Sequence, residues 1–185
     1  MMRSAVFGVA LRKSVDLALA LGLMLACACR PAKPSSIQGS AGDFAAIEAS
    51  ADLDGAAIGA SDAPATLVLV FASWCVHCHH ELEELAAVRR SQPAIRVLGV
   101  SYRDHEEYDG RGNAQALRAY VAAHASWLRV VPADEHLFEL LGRPAKVPTL
   151  FVYDRTGRRV ATFDRRDRTM PDSQELLALL GRTVR

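Results

Sequence analysis

From residue 66 onward the hydrophobic positions follow two alternating patterns. Residues 66–71 (TLVLVF) form an unbroken β-branched and apolar run, as expected of a strand buried on both faces. Residues 75–91 switch to helical spacing, with Cys78, Leu82, Leu85, Ala86 and Arg89 on one stripe. Glu81, Glu83 and Glu84 come early in this run and Arg89 and Arg90 late, as the helix dipole favours. Residues 95–101 (IRVLGVS) predict a second buried strand, and the polar stretch 102–113 (YRDHEEYDGRGN) a loop. A helix over 114–125 would turn Leu117, Tyr120, Val121 and His124 to one face, followed by a short strand at 127–131. Asp134 is placed to cap a short helix ending at Gly142. TLFVYD (149–154), the turn RTG and RRVATF (158–163) predict a β-hairpin, and Ser173 is expected to cap a last helix running to Gly181. Upstream, Asp54-Gly55 within 51–60 suggests a small N-terminal hairpin. The order predicts an α/β domain over 43–185, with a central sheet and helices on both faces.

The N-terminus reads differently. Arg3, Arg12 and Lys13 precede an uninterrupted apolar run from Leu17 to Leu25, followed by the small residues and cysteines of ACAC. This is the order of a secretion signal, and the run is shorter than the roughly 20 residues a bilayer span needs. Met24-Leu25-Ala26-Cys27 resembles the lipobox of bacterial lipoproteins, with Cys29 in a poorer second fit. The expectation is a signal peptide over 1–26, a lipid-modified Cys27, and a Pro-, Ser- and Gly-rich tether to residue 42. An uncleaved anchor and an ordinary secreted protein are the alternatives. Export would put the domain in the bacterial cell envelope, facing the periplasm or the outside, where thiol pairs can exist as disulfides.

Composition narrows the field only a little. Of 185 residues half are hydrophobic, 22 are Lys or Arg and 21 are Asp or Glu, for a net charge of +1. That composition excludes wholesale disorder and gives no support for nucleic-acid binding. Four cysteines are too few for a disulfide scaffold, and their grouping as 27/29 and 75/78 matters more than their number.

Trp74-Cys75-Val76-His77-Cys78 lies between a predicted buried strand and a predicted helix. Cys75 would sit at the helix N-terminus, where free N–H groups and the dipole stabilise a thiolate. Cys78, one turn further on the apolar stripe, would be buried. This is the arrangement for an exposed attacking thiolate and a second thiol that resolves the mixed disulfide.

FASWCVHC followed by HHELEEL resembles the thioredoxin superfamily, and more closely the membrane-tethered thiol–disulfide oxidoreductases of the TlpA/ResA type. The likeness spans roughly 43–182 together with the tether. It implies a thioredoxin-like fold, a central mixed sheet flanked by helices, with the N-terminal β-hairpin and a central helix–strand insertion at 102–132. It also implies a cis-proline facing the cysteine pair at Pro148, in Lys146-Val147-Pro148-Thr149, whose use would be to expose the Val147 backbone to a substrate strand. Glu81 falls on the Glu of the W-C-x-x-C-x-x-E signature. Leu69 stands where thioredoxin has a buried Asp that accepts protons, so that role would pass to Glu81. Trp74 would either shield the disulfide or simply pack. The Val76-His77 dipeptide resembles that of more oxidising relatives, in which a His tunes the thiolate.

The implied activity is thiol–disulfide exchange on partner proteins, in the reducing direction, with apocytochrome c or a copper-site protein as family-typical substrates. A membrane redox partner is a further expectation. Two other readings use the same residues. Cys75-Val76-His77-Cys78-His79 literally satisfies C-x-x-C-H, the attachment motif for c-type haem, with His79 proximal and Met170 or another His distal. The thiols could also carry copper or zinc as a chaperone does. The haem overlap apart, no cofactor motif is present. His79 and His80 lack a second ligand cluster in the mature domain, so no metal site is expected there. The six arginines at 155–168, interleaved with aspartates, read as a solvated face or as a docking surface for an acidic partner.

Overall fold

The apolar run predicted at 66–71 forms the centre of the molecule. In the computed structural model, which describes residues 42–165 and 170–183, it is strand β1 (Ala65–Val70), buried at all six positions. The leader, Cys27 and most of the tether lie outside the described residues. β1 pairs parallel with β2 (Arg96–Tyr102) on one side and antiparallel with β4 (Thr149–Asp154) on the other. β3 (Arg129–Ala133) extends the sheet beyond β2, and β5 (Arg159–Asp164) extends it beyond β4. The order is β3-β2-β1-β4-β5, a five-stranded mixed sheet. Pro132 is tolerated inside β3 because that strand is at the sheet edge.

Alternate side chains of β1 point to opposite faces, so one strand serves two cores. Leu67 and Leu69 join Leu82, Leu85 and Val88 of α2 (Val76–Ser91), Leu117 of α4 (Ala114–His124), and Leu176 and Leu180 of α6 (Ser173–Thr183). Val68 and Val70 join Ile47 of α1 (Asp43–Ala49) and Leu137 of α5 (Glu135–Leu140) on the other face. Helices cover both faces, as the sequence predicts. The segment 102–132 supplies α4 and the edge strand β3, which is the expected helix–strand insertion.

Several details differ from expectation. The hairpin predicted at 51–60 is a turn closed by one antiparallel bridge, Ala51 to Ala57, with no extended strands. Backbone bonds across the turn, Asp52 N–H to Ala56 O and Ile58 N–H to Ser50 O at 2.9 Å, are supplemented by arginines. Arg129 donates to Ala56 O and Ala57 O at 2.9 Å, and Arg96 to Ile58 O and Gly59 O at 2.9 and 2.8 Å. The loop predicted at 102–113 begins with a short helix, α3 (Arg103–Glu106). Asp134 caps α5 as expected, accepting from the Leu137 N–H at 2.8 Å. Ser173 does not cap α6; the Asp172 carboxylate does, accepting from Glu175 N–H at 2.8 Å, while Ser173 N–H donates to Glu84. In the arginine-rich hairpin, Arg159 is no surface residue. Its side chain is buried against Asp43, the Phe151 ring and the Leu141 carbonyl, so α1 is pinned to the sheet there.

Candidate active site

After β1 the chain passes through Phe71–Trp74 into α2. The Cys75 N–H donates to Ala72 O at 3.1 Å and closes the turn. Cys75 is the N-cap of α2: its backbone is extended, and its Sγ accepts from the Cys78 N–H at 3.3 Å. A thiol thus stands where Ser or Asp usually satisfies the first free donors of a helix. The Cys75 and Cys78 sulfurs are 2.6 Å apart. Cys78 is wholly buried, as the stripe predicts. Cys75 is only 5% exposed, more covered than the open thiol expected at this position, because its turn packs into the same core.

The electrostatics separate the two thiols. The Cys78 thiol, donating to Cys75, lowers the Cys75 pKa to about 6 against the opposing effect of burial. The backbone N–H groups of Cys78 and His77 and the charge of His79 act in the same direction. Burial pushes Cys78 far above the ordinary thiol range, and its bond to Cys75 adds to this. The two thiols are thereby driven apart, one toward the thiolate and the other toward the protonated form.

Glu81, absent from the expected apolar stripe, lies inside the buried face of α2, 1% exposed, and its Oε1 has no hydrogen-bond partner among the described residues. Burial, then the charge of Glu84, raises its pKa to about 8. Its charge also acts on Cys78 and opposes loss of the thiol proton. A carboxyl poised near neutral pH beside a buried thiol can exchange a proton with it.

The other predicted residues gather around this pair. The Val147–Pro148 peptide is cis, and the Val147 carbonyl lies 3.9 Å from Cys75 Sγ. Thr149 Oγ1 donates to Lys146 O at 2.8 Å and braces the same loop. Trp74 is half-buried, and its indole N–H donates to the carbonyls of His105 and Glu106 at 3.0 and 2.9 Å. Val76 is 74% exposed and the His77 side chain also faces solvent, so both lie on the rim of the site. Leu69 is buried in the core below. Among the described residues, no group of three or more His, Cys, Asp or Glu side chains could hold a metal ion.

Three participants escape the sequence pattern. Ser73, Glu106 and the ring of His79 form a hydrogen-bonded set immediately before Cys75. His79 is visible in the sequence only as a candidate ligand. Nothing in the polar run 102–113 separates the buried Glu106 from its exposed neighbour Glu107.

No protein-family model matches the chain, and no curated protein matches it either. Solved structures do. A secreted disulfide oxidoreductase of Mycobacterium tuberculosis, homologous to E. coli DsbE, is 18% identical with a TM-score of 0.57, over 72% of this chain and 93% of that one. A thioredoxin-like protein from Aeropyrum pernix is 16% identical with a TM-score of 0.59, over 77% and 94% of the two chains. StoA from Bacillus subtilis is 20% identical with a TM-score of 0.52, over 71% and 93%. With the cysteine pair at the strand–helix junction and the cis-proline opposite, this chain has a thioredoxin-like fold.

Proposed function

We propose that the protein is an extracytoplasmic thiol–disulfide oxidoreductase that reduces disulfides in partner proteins through Cys75 and Cys78. One observation carries the reading. Cys75 caps α2 with its thiol pKa lowered, and the fully buried Cys78 lies 2.6 Å behind it. The Cys75 thiolate attacks a substrate sulfur and displaces the other substrate sulfur as a thiolate. Cys78 then gives up its proton and attacks Cys75, closing the internal disulfide and releasing the reduced substrate. The ionised form of Glu81, present as a minor fraction at neutral pH because its pKa is raised to about 8, takes the Cys78 proton in that second step. The Val147 backbone pairs with an extended substrate segment beside Pro148, and Trp74, Val76 and His77 form the rim it meets. Cys27 carries the lipid that tethers the domain to the membrane surface, which Cys27→Ser would test by loss of fatty-acid labelling.

The geometry favours this reading over haem attachment through the same motif. A thioether needs each cysteine to reach a vinyl group, whereas Cys78 has no exposed surface. The Nε2 of His79, the atom a haem iron would take, is engaged with Ser73 O at 2.7 Å.

The deciding experiment is redox equilibration of the reduced protein with glutathione, alongside trapping by Cys78→Ser. The variant should accumulate a mixed disulfide through Cys75 with a protein substrate, and Cys75→Ser should form none. A potential near or below about −270 mV supports reduction of partners, whereas one near about −120 mV would make the protein a disulfide donor. A pair that does not titrate rejects the reading.

A further inference from the structure

The segment that follows β2 reaches back onto the turn before Cys75. Glu106, the last residue of α3, is 3% exposed. Its Oε2 accepts the Ser73 N–H at 2.8 Å, and its Oε1 accepts the Ser73 hydroxyl. The carbonyls of His105 and Glu106 share the Trp74 indole N–H. Gly112 closes over the contact: a Cβ there would collide with Glu106 Oε1, lie 2.7 Å from the Glu106 carbonyl oxygen and 3.0 Å from Trp74 Cδ1.

Ser73 is held from the other side too. His79 Nε2 lies 2.7 Å from Ser73 O, and because a carbonyl only accepts, Nε2–H is the donor. The His79 ring is stacked on Tyr120 of α4, 4.5 Å between centroids. All three polar groups of Ser73 are therefore occupied, by side chains from two different elements. Ser73 is two residues before Cys75 in the turn that carries the thiol to its capping position. A carboxylate is expensive to bury, and charge-assisted bonds to two donors are what offsets that cost here.

We propose that Glu106 is a positioning residue for the thiol chemistry: by fixing Ser73 and Trp74, against His79 on the opposite side, it holds Cys75 at the head of α2. There the N–H groups of His77 and Cys78 stabilise the thiolate. The role rests on Cys75 being the attacking thiol. Glu106 itself exchanges no proton and touches no substrate.

The test is the pH midpoint of Cys75 alkylation in the reduced full chain, read on the Cys75 peptide by mass spectrometry, with a thermal melt on each variant. Glu106→Ala should raise the midpoint by about one pH unit, because the loosened turn no longer aims the thiol at the N–H groups. Glu106→Gln should stay within a few tenths (~0.3) of the parent, since its amide oxygen still accepts the Ser73 N–H. A folded Glu106→Ala with an unmoved midpoint overturns the proposal, as does a Gln variant that shifts as far as Ala. Should Glu106→Ala fail to fold, Glu106→Asp decides: it keeps the charge but shortens the reach, so its midpoint should rise while an unmoved one overturns the role. Alkylation needs no partner protein, so Glu106 is judged separately from the substrate. A parent midpoint near about 8.5, that of free cysteine, would instead reject Cys75 as the activated thiol and this role with it.

Discussion

Glu81 is a carboxyl with an unpaired oxygen, 1% exposed, in the helix that carries both thiols. Burial raises its pKa from 4.5 to about 8, so between those values the folded state binds more protons than the unfolded chain. Stability must then fall as pH rises through this window, with the full loss present above pH 8. Urea unfolding of the oxidised protein, in which the cysteines do not titrate, should show this decline. Glu81→Gln should flatten it and be more stable than the parent above pH 8, by about 2–4 kcal/mol. An equal decline in the variant would assign the slope to another group. The histidines give a second contrast. His77 faces solvent, whereas the charge of His79 helps lower the Cys75 pKa. His79→Gln should therefore raise the alkylation midpoint of Cys75 more than His77→Gln does, and the reverse order would return the tuning role to His77. The cysteine pair was legible because its chemistry is written in local spacing, whereas Pro148 was reached only through the family resemblance, since nothing local marks a cis bond. The burial of Glu81 was not: a helical wheel assigns α2 one apolar face, but α6 packs against it too, with Ser173 N–H on Glu84 at 2.7 Å. A second covering helix widens the buried arc, and no local pattern reports that.

Among the elements, legibility followed the amount of apolar surface each one buries. β1, β2 and β4 are nearly continuous apolar runs and could hardly be anything but central strands, whereas the helices were less legible: α2 buries Val88 and Glu81 and leaves the expected Arg89 exposed, and of the face expected of α4 only Leu117 is fully buried. The 51–60 segment has a turn signal but no alternating apolar face, and Arg96 and Arg129 add side-chain bonds to carbonyls of a turn with few backbone pairs of its own. Helix α1 depends on a partner over a hundred residues away. Asp43 accepts from Arg159 and from the Tyr153 hydroxyl, with all three groups buried, and Phe44 packs on the Tyr153 ring at 4.8 Å. Such a pair is weak evidence for net stabilisation but costly to break from one side. Asp43→Ala leaves the Arg159 guanidinium buried without its carboxylate and should cost about 3–5 kcal/mol in denaturant unfolding. Replacing both partners together with apolar residues should recover much of that loss. A single variant within ~0.5 kcal/mol of the parent would mean that water reaches Arg159 and that the pin on α1 is not electrostatic.

At the scale of the whole molecule, two cores on opposite faces of one sheet leave the β1–α2 junction as the place where a helix N-terminus, a buried thiol and the Val147–Pro148 loop meet. The fold thereby separates two chemically identical groups, lowering the Cys75 pKa and raising that of Cys78. That separation has a consequence for electron transfer. Below about pH 6 the reduced pair carries two protons, so reduction takes up two electrons and two protons. Each pH unit then changes the equilibrium constant a hundredfold, and the potential should fall by about 59 mV per unit. Above pH 6 only Cys78 keeps its proton, the change is tenfold, and the slope should halve to about 30 mV per unit. Equilibration with glutathione from pH 5 to 7.5, below the Glu81 titration, should therefore show a break near pH 6. An unbroken slope of about 59 mV across that range would mean that Cys75 remains a thiol at neutral pH. The capping position would then align the sulfur without activating it, and exchange would have to wait for the small thiolate fraction of an ordinary cysteine.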